Sequence, residues 1–224
     1  MRVAIVGASG RIGRQLVRRA AEAGHEVTAV VRDSPGAAAA IREWERRPVA
    51  AGSGAAAGRV RVAVVRGLDA AELTDPVTGR DAVLSALGPP GRTADPTINS
   101  RGVRATIEAM RAAGTRRVVA VSAAPVGPVA GPLPYRAVVR PLLWRLFGEH
   151  YADLTLMERL LRDSGLDWTV VRPPRLTDGP ATGRQRIALE AAARGIRVSR
   201  ADVAAAMLDL LPDPASHGHA YGVA

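Results

Sequence analysis

From Val3 to Gly13 the chain runs Val-Ala-Ile-Val-Gly-Ala-Ser-Gly-Arg-Ile-Gly, an apolar run followed at once by three glycines spaced three apart. A short β-branched run bounded by glycine predicts a buried strand over Arg2–Val6, and the pattern after it predicts a helix over Arg11–Ala23. Gly7 permits the tight turn between them, Gly10 lets the backbone approach a ligand closely, and Gly13 lets the helix pack on the sheet. The free N–H groups of a helix N-terminus then face whatever fills the turn, and they favour an anion. The spacing is G-x-x-G-x-x-G rather than G-x-G-x-x-G, so its weight comes from the strand-turn-helix context. Gly7, Ser9, Gly10, Arg11, Ile12 and Gly13 are expected to hold a dinucleotide pyrophosphate.

Moving outward, Glu26–Val31 after Gly24 completes a βαβ unit. Further strands are predicted at Val60–Arg66, Ala82–Leu87, Arg117–Ser122, Asp167–Val171 and, short, near Arg184–Leu189. Helices are predicted at Ala37–Arg47, Ala70–Thr78, Pro96–Ala113, Tyr135–Phe147 (interrupted by Pro141), Tyr151–Asp163 and Ala201–Leu211. Ala50–Gly58 reads as a solvated insertion, and Gly88–Asp95, Ala123–Pro134 and Arg172–Gly183 read as loops. Several strands are apolar on both faces, as in a parallel sheet covered by helices on each side. The expected fold class is α/β, a Rossmann-type doubly wound, mainly parallel sheet. One domain over 1–224 is expected, with a small substrate-side region from about 123 onward.

At 224 residues and 47% hydrophobic content the chain can bury a sizeable core. No apolar run approaches the ~18–20 residues that span a bilayer, and no basic leader precedes the first strand, so a soluble cytoplasmic protein without a membrane partner is expected. Zero Cys excludes disulfides and thiolate sites. His25, His150, His217 and His219 are scattered, with no helical ligand pair, so no metal is expected; the last two read as a solvated turn. The net charge is +10, but the basic residues are all Arg, occur singly or in pairs, and are accompanied by only seven aromatics, so nucleic acid is not an expected partner. The lack of Lys excludes a Schiff base, a P-loop lysine or a Tyr-x-x-x-Lys pair.

At the end of the second strand, where an acidic residue would take a ribose hydroxyl, the chain reads Val-Val-Arg-Asp over 30–33. Arg32 there suits a 2′-phosphate, with Arg11 as a second cation, and NADP(H) is the expected cofactor. Asp33 would bind a hydroxyl instead if the register slipped. Asp69 after the third strand either meets the adenine edge or caps a helix. Leu87 and Gly88 after the fourth are placed to line the adenosine and ribose.

The segments GASGRIG, GRDAVLSALG (Gly79–Gly88), VSA (Val121–Ala123) and SGLDWTVVRPPRLTDGPATG (Ser164–Gly183) together resemble the atypical short-chain dehydrogenase/reductases with an NAD(P)H-binding domain. The flavin reductase/biliverdin reductase B group is the nearest likeness. VSRADV (Val198–Val203) and HGHAYGV (His217–Val223) look like that group's closing segment. The resemblance implies a reductase carrying hydride from NADPH to a planar conjugated acceptor: a flavin, a quinone or a tetrapyrrole. It implies no Tyr/Lys acid–base pair, and here Tyr135 is followed four residues on by Val139, and Tyr151 by Thr155. Ser122 matches the group's active-site serine, implied to bond the nicotinamide amide or the acceptor; a strand-end cap is its alternative. Arg175 stands where the biliverdin reductase has a histidine, and would hold an anionic acceptor group or lie on the surface. Pro173 and Pro174 stiffen the loop against the nicotinamide. Trp144, Phe147 and Tyr151, spaced by three and four, either wall an aromatic substrate site or pack in the core. Two other classes compete: a regulator that senses NADP(H) without turnover, and a sugar-nucleotide epimerase, whose larger substrate domain and Tyr/Lys pair this chain lacks.

Overall fold

The computed structural model describes residues 1–46, 59–89, 95–127 and 135–224; the insertion Ala50–Gly58 lies outside them, as does most of the loop Ala123–Pro134. In chain order the elements are β1 (Arg2–Val6), α1 (Arg11–Glu22), β2 (Glu26–Arg32), α2 (Pro35–Arg46), β3 (Val60–Val65), α3 (Ala70–Val77), β4 (Ala82–Ser85) and α4 (Ile98–Ala113). Then follow β5 (Arg117–Val121), α5 (Arg140–Arg162), β6 (Asp167–Arg172), β7 (Arg175–Thr177), β8 (Ile187–Leu189), β9 (Arg197–Ser199), α6 (Arg200–Leu210) and β10 (His219–Val223). The main sheet has the order β3-β2-β1-β4-β5-β6-β10-β8, parallel except where β8 meets β10. The chain reverses direction across the sheet between β1 and β4, which opens a crevice at their carboxyl ends.

Burial on both faces explains the layers. One core joins Leu16, Val17 and Ala20 of α1 to Val203, Met207 and Leu210 of α6 beneath Val3, Ile5 and Val119. The other joins Val103, Ile107 and Met110 of α4 to Leu154, Met157 and Leu161 of α5 beneath Ala4, Val83, Val118 and Val170. α4 ends at Gly114, whose φ of 71° closes the helix in the left-handed conformation that glycine adopts without a Cβ penalty. At the amino edge of the sheet Arg117, 7% exposed, donates to the Leu210 and Leu211 carbonyls at 2.7 and 2.9 Å, to the Asp167 carbonyl at 2.8 Å, and to Thr169 Oγ1 and Ser216 Oγ, each at 2.8 Å. Burial pushes its pKa down to about 10, so it remains a cation at neutral pH.

Three expectations change. The two helices expected after the Pro-rich loop are one, α5, bent at Phe147 (φ −130°, ψ 22°); Pro141 lies in its first turn, where no backbone N–H is required. The tail expected as a turn at His217 and His219 contains β10, which pairs in parallel with β6. Gly222 admits this: a Cβ there would stand 2.2 Å from the Ala191 carbonyl oxygen. The loop after β6 contains β7, paired with the unexpected β9.

Candidate active site

A cavity of about 710 Å³ opens at the carboxyl ends of β1, β2, β4 and β5. Its floor is the glycine turn. Gly7 takes φ +79°, and a Cβ there would stand 2.9 Å from the Ala86 carbonyl oxygen. Its carbonyl accepts from Gly10 N at 3.0 Å, while Gly10 caps α1 with no side chain and no acidic residue in the first turn. The first N–H groups of α1 are therefore left to the cavity. Gly13 does not line it: a Cβ there would come within 2.2 Å of Gly7 O, so this glycine lets α1 sit on the turn. A turn emptied of side chains and backed by a helix N-terminus fits a dinucleotide pyrophosphate.

Around this floor Ser9, Arg11, Ile12, Arg32, Leu87, Gly88, Ser122 and Pro173 all line the cavity. The Arg32 side chain is exposed and makes no hydrogen bond or ion pair with the described residues. Asp33, the competing residue, does not line the cavity; its N–H bonds the Val65 carbonyl. Arg11 is not free: its Nη1 bonds Asp178 Oδ2 at 3.2 Å, and Arg200 Nη1 bonds Asp178 Oδ1 at 2.6 Å, so one carboxylate bridges two cavity-lining arginines. The α4 helix comes close under Leu87 because Gly102 lacks a Cβ, which would lie 2.3 Å from Leu87 Cδ1.

Besides Gly13, two expected residues lie outside the cavity. Asp69 caps α3, accepting from Glu72 N at 2.9 Å, and its neighbour Leu68 lines the cavity in its place. Arg175 is exposed and does not line the cavity, whereas Pro174 and Leu176 do. The alternation of β7 explains this, since successive side chains take opposite faces. The aromatic stripe of α5 also stays out of the lining: the Tyr151 ring, in the second core, lies 5.4 Å from Trp144, which packs against that core, and 6.1 Å from Phe147, which is exposed. From α5 the cavity receives His150 and Leu154. The side chain of Tyr135 lies outside the described residues.

Behind Ser122 lies a buried charge cluster that local patterns do not announce. Ser122 donates to Glu158 Oε1 at 2.7 Å. Glu158, 1% exposed, also accepts from Arg172 Nε at 3.0 Å, Arg172 Nη2 at 2.5 Å and Arg162 Nη2 at 2.8 Å. A second buried carboxylate, Asp153, accepts from the backbone N–H of Asn99 and Ser100 at 3.0 and 3.1 Å and from Asn99 Nδ2 at 3.0 Å. Both carboxylates come from α5, and each holds a residue of the cavity wall. Burial lowers the His150 pKa, with Asp153 partly opposing it, so its ring is neutral at physiological pH. Among the described residues no cluster of His, Asp or Glu is arranged to hold a metal, and no helix is long and apolar enough to cross a membrane.

The family model of NAD(P)H-binding proteins matches residues 7–214, a span that holds the glycine turn, Arg32, Ser122 and Pro173. This chain belongs to the NAD(P)H-binding family. Among relatives of this NAD(P)H-binding protein, an uncharacterized sugar epimerase of Bacillus subtilis is 28% identical over 228 residues, covering 99% of this chain and 92% of its own. A 3-diazoavenalumate denitrifying reductase of a Streptomyces species is 34% identical over 198 residues, covering 83% of this chain and 59% of its own. The solved structure of an anaerobillin reductase from Escherichia coli O157:H7 shares the fold, with a TM-score of 0.73 at 24% identity over 100% of this chain and 96% of that one.

Proposed function

We propose that this NAD(P)H-dependent oxidoreductase passes hydride from NADPH to a flavin, a quinone or a similar conjugated acceptor such as a tetrapyrrole, without a Tyr/Lys pair. The observation that carries the reading is one continuous cavity, running from the emptied glycine turn and Arg32 to Ser122, His150 and the Pro173–Pro174 wall. The bound dinucleotide supplies the hydride. The glycine turn and the start of α1 hold its pyrophosphate, and Arg32 pairs its 2′-phosphate. Ser122, fixed by Glu158, sets the nicotinamide side, and Pro173 limits its tilt. The region from about 123 onward supplies the acceptor side through His150, Leu154, Pro174 and Leu176. No tyrosine lines this cavity among the described residues, and a reduced flavin or quinone takes its proton from water, so positioning supplies the rate. The relative named as a denitrifying reductase supports the same class.

The test is loss of NADPH absorbance with FMN, riboflavin, a neutral quinone and biliverdin. Consumption with at least one is expected. Tight NADPH binding with none consumed would replace this reading with that of a sensor.

A further inference from the structure

The two ends of the cavity offer a ligand opposite chemistry. Around the glycine turn the polar side chains are Ser9, Arg11, Arg32, Ser34 and Arg200, all carrying donors. At the far end they are Asn99, Ser122 and His150. Ser122 gives its single hydroxyl hydrogen to Glu158, which leaves only the lone pairs of Oγ. Asn99 is 1% exposed, and its Nδ2 donates to Asp153, which fixes the amide and leaves Oδ1 a buried acceptor with no partner among the described residues. An unmet buried carbonyl oxygen is costly unless something beyond the chain donates to it. Nδ1 of His150 is likewise buried, with no partner among the described residues. The carboxylates of Asp153 and Glu158, 6% and 1% exposed, stand directly behind this wall. Glu158 is already paired with Arg172 and Arg162, whereas the Asn99 carbonyl oxygen awaits a donor and the lone pairs of Ser122 Oγ stand beside it to accept.

We propose that the Asn99–Ser122–His150 wall reads an N–H on the edge of the acceptor, so that conjugated molecules carrying an imide or lactam N–H are preferred to quinones, which carry only carbonyl oxygens. This inference rests on the reductase reading and adds to it the feature by which the acceptor is chosen. The N3–H of a flavin, flanked by two carbonyls, and the lactam N–H of an open tetrapyrrole share that chemistry.

The experiment compares lumiflavin with its N3-methyl derivative on the unaltered protein, using riboflavin as a control for tolerance of bulk at N10. N3-methylation is expected to raise KM at least tenfold, while riboflavin and lumiflavin stay within about threefold of each other. The same contrast is expected in flavin dissociation constants, read by fluorescence quenching on the NADP-bound protein; that readout survives even if hydride transfer fails, so the two readings fail separately. In Asn99→Ala, confirmed folded by its denaturant midpoint, the methylation penalty should shrink to threefold or less. Equal KM and Kd for the two flavins would overturn the proposal. So would tolerance of the methyl group combined with a tenfold loss for the 3-acetylpyridine analogue of the cofactor, which would assign the wall to the nicotinamide amide.

Discussion

Replacing Glu158 by Gln removes one charge, changes almost no volume, and tests whether the cluster behind Ser122 is a buried ion pair in the energetic sense. The glutamate accepts from Arg172 twice, from Arg162 and from Ser122. Arg162 is 48% exposed and recovers its hydration, so its share is about 0–1 kcal/mol. Arg172 is 7% exposed, and its remaining carboxylate, Glu190, is 3.9 Å away and half exposed. The cost is therefore mainly that of stranding a buried guanidinium, about 3–5 kcal/mol, a large part of the ~5–15 kcal/mol that holds a domain together. Urea unfolding followed by the fluorescence of the three tryptophans would show a lower midpoint at unchanged slope. The double variant Glu158→Gln, Arg172→Met, with neither charge, should recover most of the loss. A loss below about 1 kcal/mol, or a double variant no more stable than the single, would refute the assignment of that cost to the unpaired arginine.

Other outcomes are expected at separate points of the molecule. Arg32→Asp should weaken NADPH binding by about 1.5–3 kcal/mol, roughly 10- to 150-fold, with little effect on NADH; titration of both nucleotides checks it. Gly10→Val should abolish dinucleotide binding in a protein that still unfolds cooperatively, because the side chain fills the place of the phosphate. Tyr151→Phe should slow NADPH-dependent reduction less than about tenfold, well short of the ~10²–10⁴ lost with a positioned general acid. Burial pushes the Asp202 carboxyl up, but bonds from Ser199, Thr182 and Gly183 outweigh it and hold the pKa below its usual value of 3.8. Its stabilisation is then present above that value and lost as pH falls through the lowered folded pKa. Asp202→Asn should cost about 1–3 kcal/mol at pH 7 and progressively less as pH drops below about 4 in acid-unfolding series.

What the sequence disclosed followed the range of its signals. The glycine turn is legible because strand, turn and helix are contiguous and their order gives the spacing its meaning, whereas the choice of Arg32 over Asp33 needs the register of β2, which puts Arg32 on the cavity. The capping of α3 by Asp69 was one of two readings, since a short acidic residue before a helix serves either purpose. Arg175 likewise carries two readings, an anion holder or a surface arginine, and the structure gives the second; a three-residue strand has no periodicity to choose between them, and a single step of register moves a side chain to the opposite face. β10 was hidden for a similar reason: five residues with a glycine among them resemble a tail until β6 is beside them. The grip of Glu158 on Ser122, 36 residues away in sequence, and on Arg172, 14 residues away, has no local signature at all. Nor has the commitment of the Asn99 amide to Asp153, which only the packing of α5 against α4 creates.

Arg117 stands at the edge of the sheet opposite the cavity, and that position bears on where the molecule tolerates change. One guanidinium there links two adjacent strands, the last carbonyls of α6 and the turn at Ser216. A lysine in its place offers three donors from a single atom and could not reach these partners together. Substitution at this edge is therefore penalised whichever acceptor the protein serves. The crevice edge is built from loop ends and exposed arginines whose replacement alters ligand choice more than folding. New acceptor preferences can thus be acquired at one rim of the sheet while the other stays invariant, and a library aimed at specificity belongs at the cavity-lining positions His150, Pro174 and Leu176, with Arg117 and its partners and the buried Asp153 left untouched.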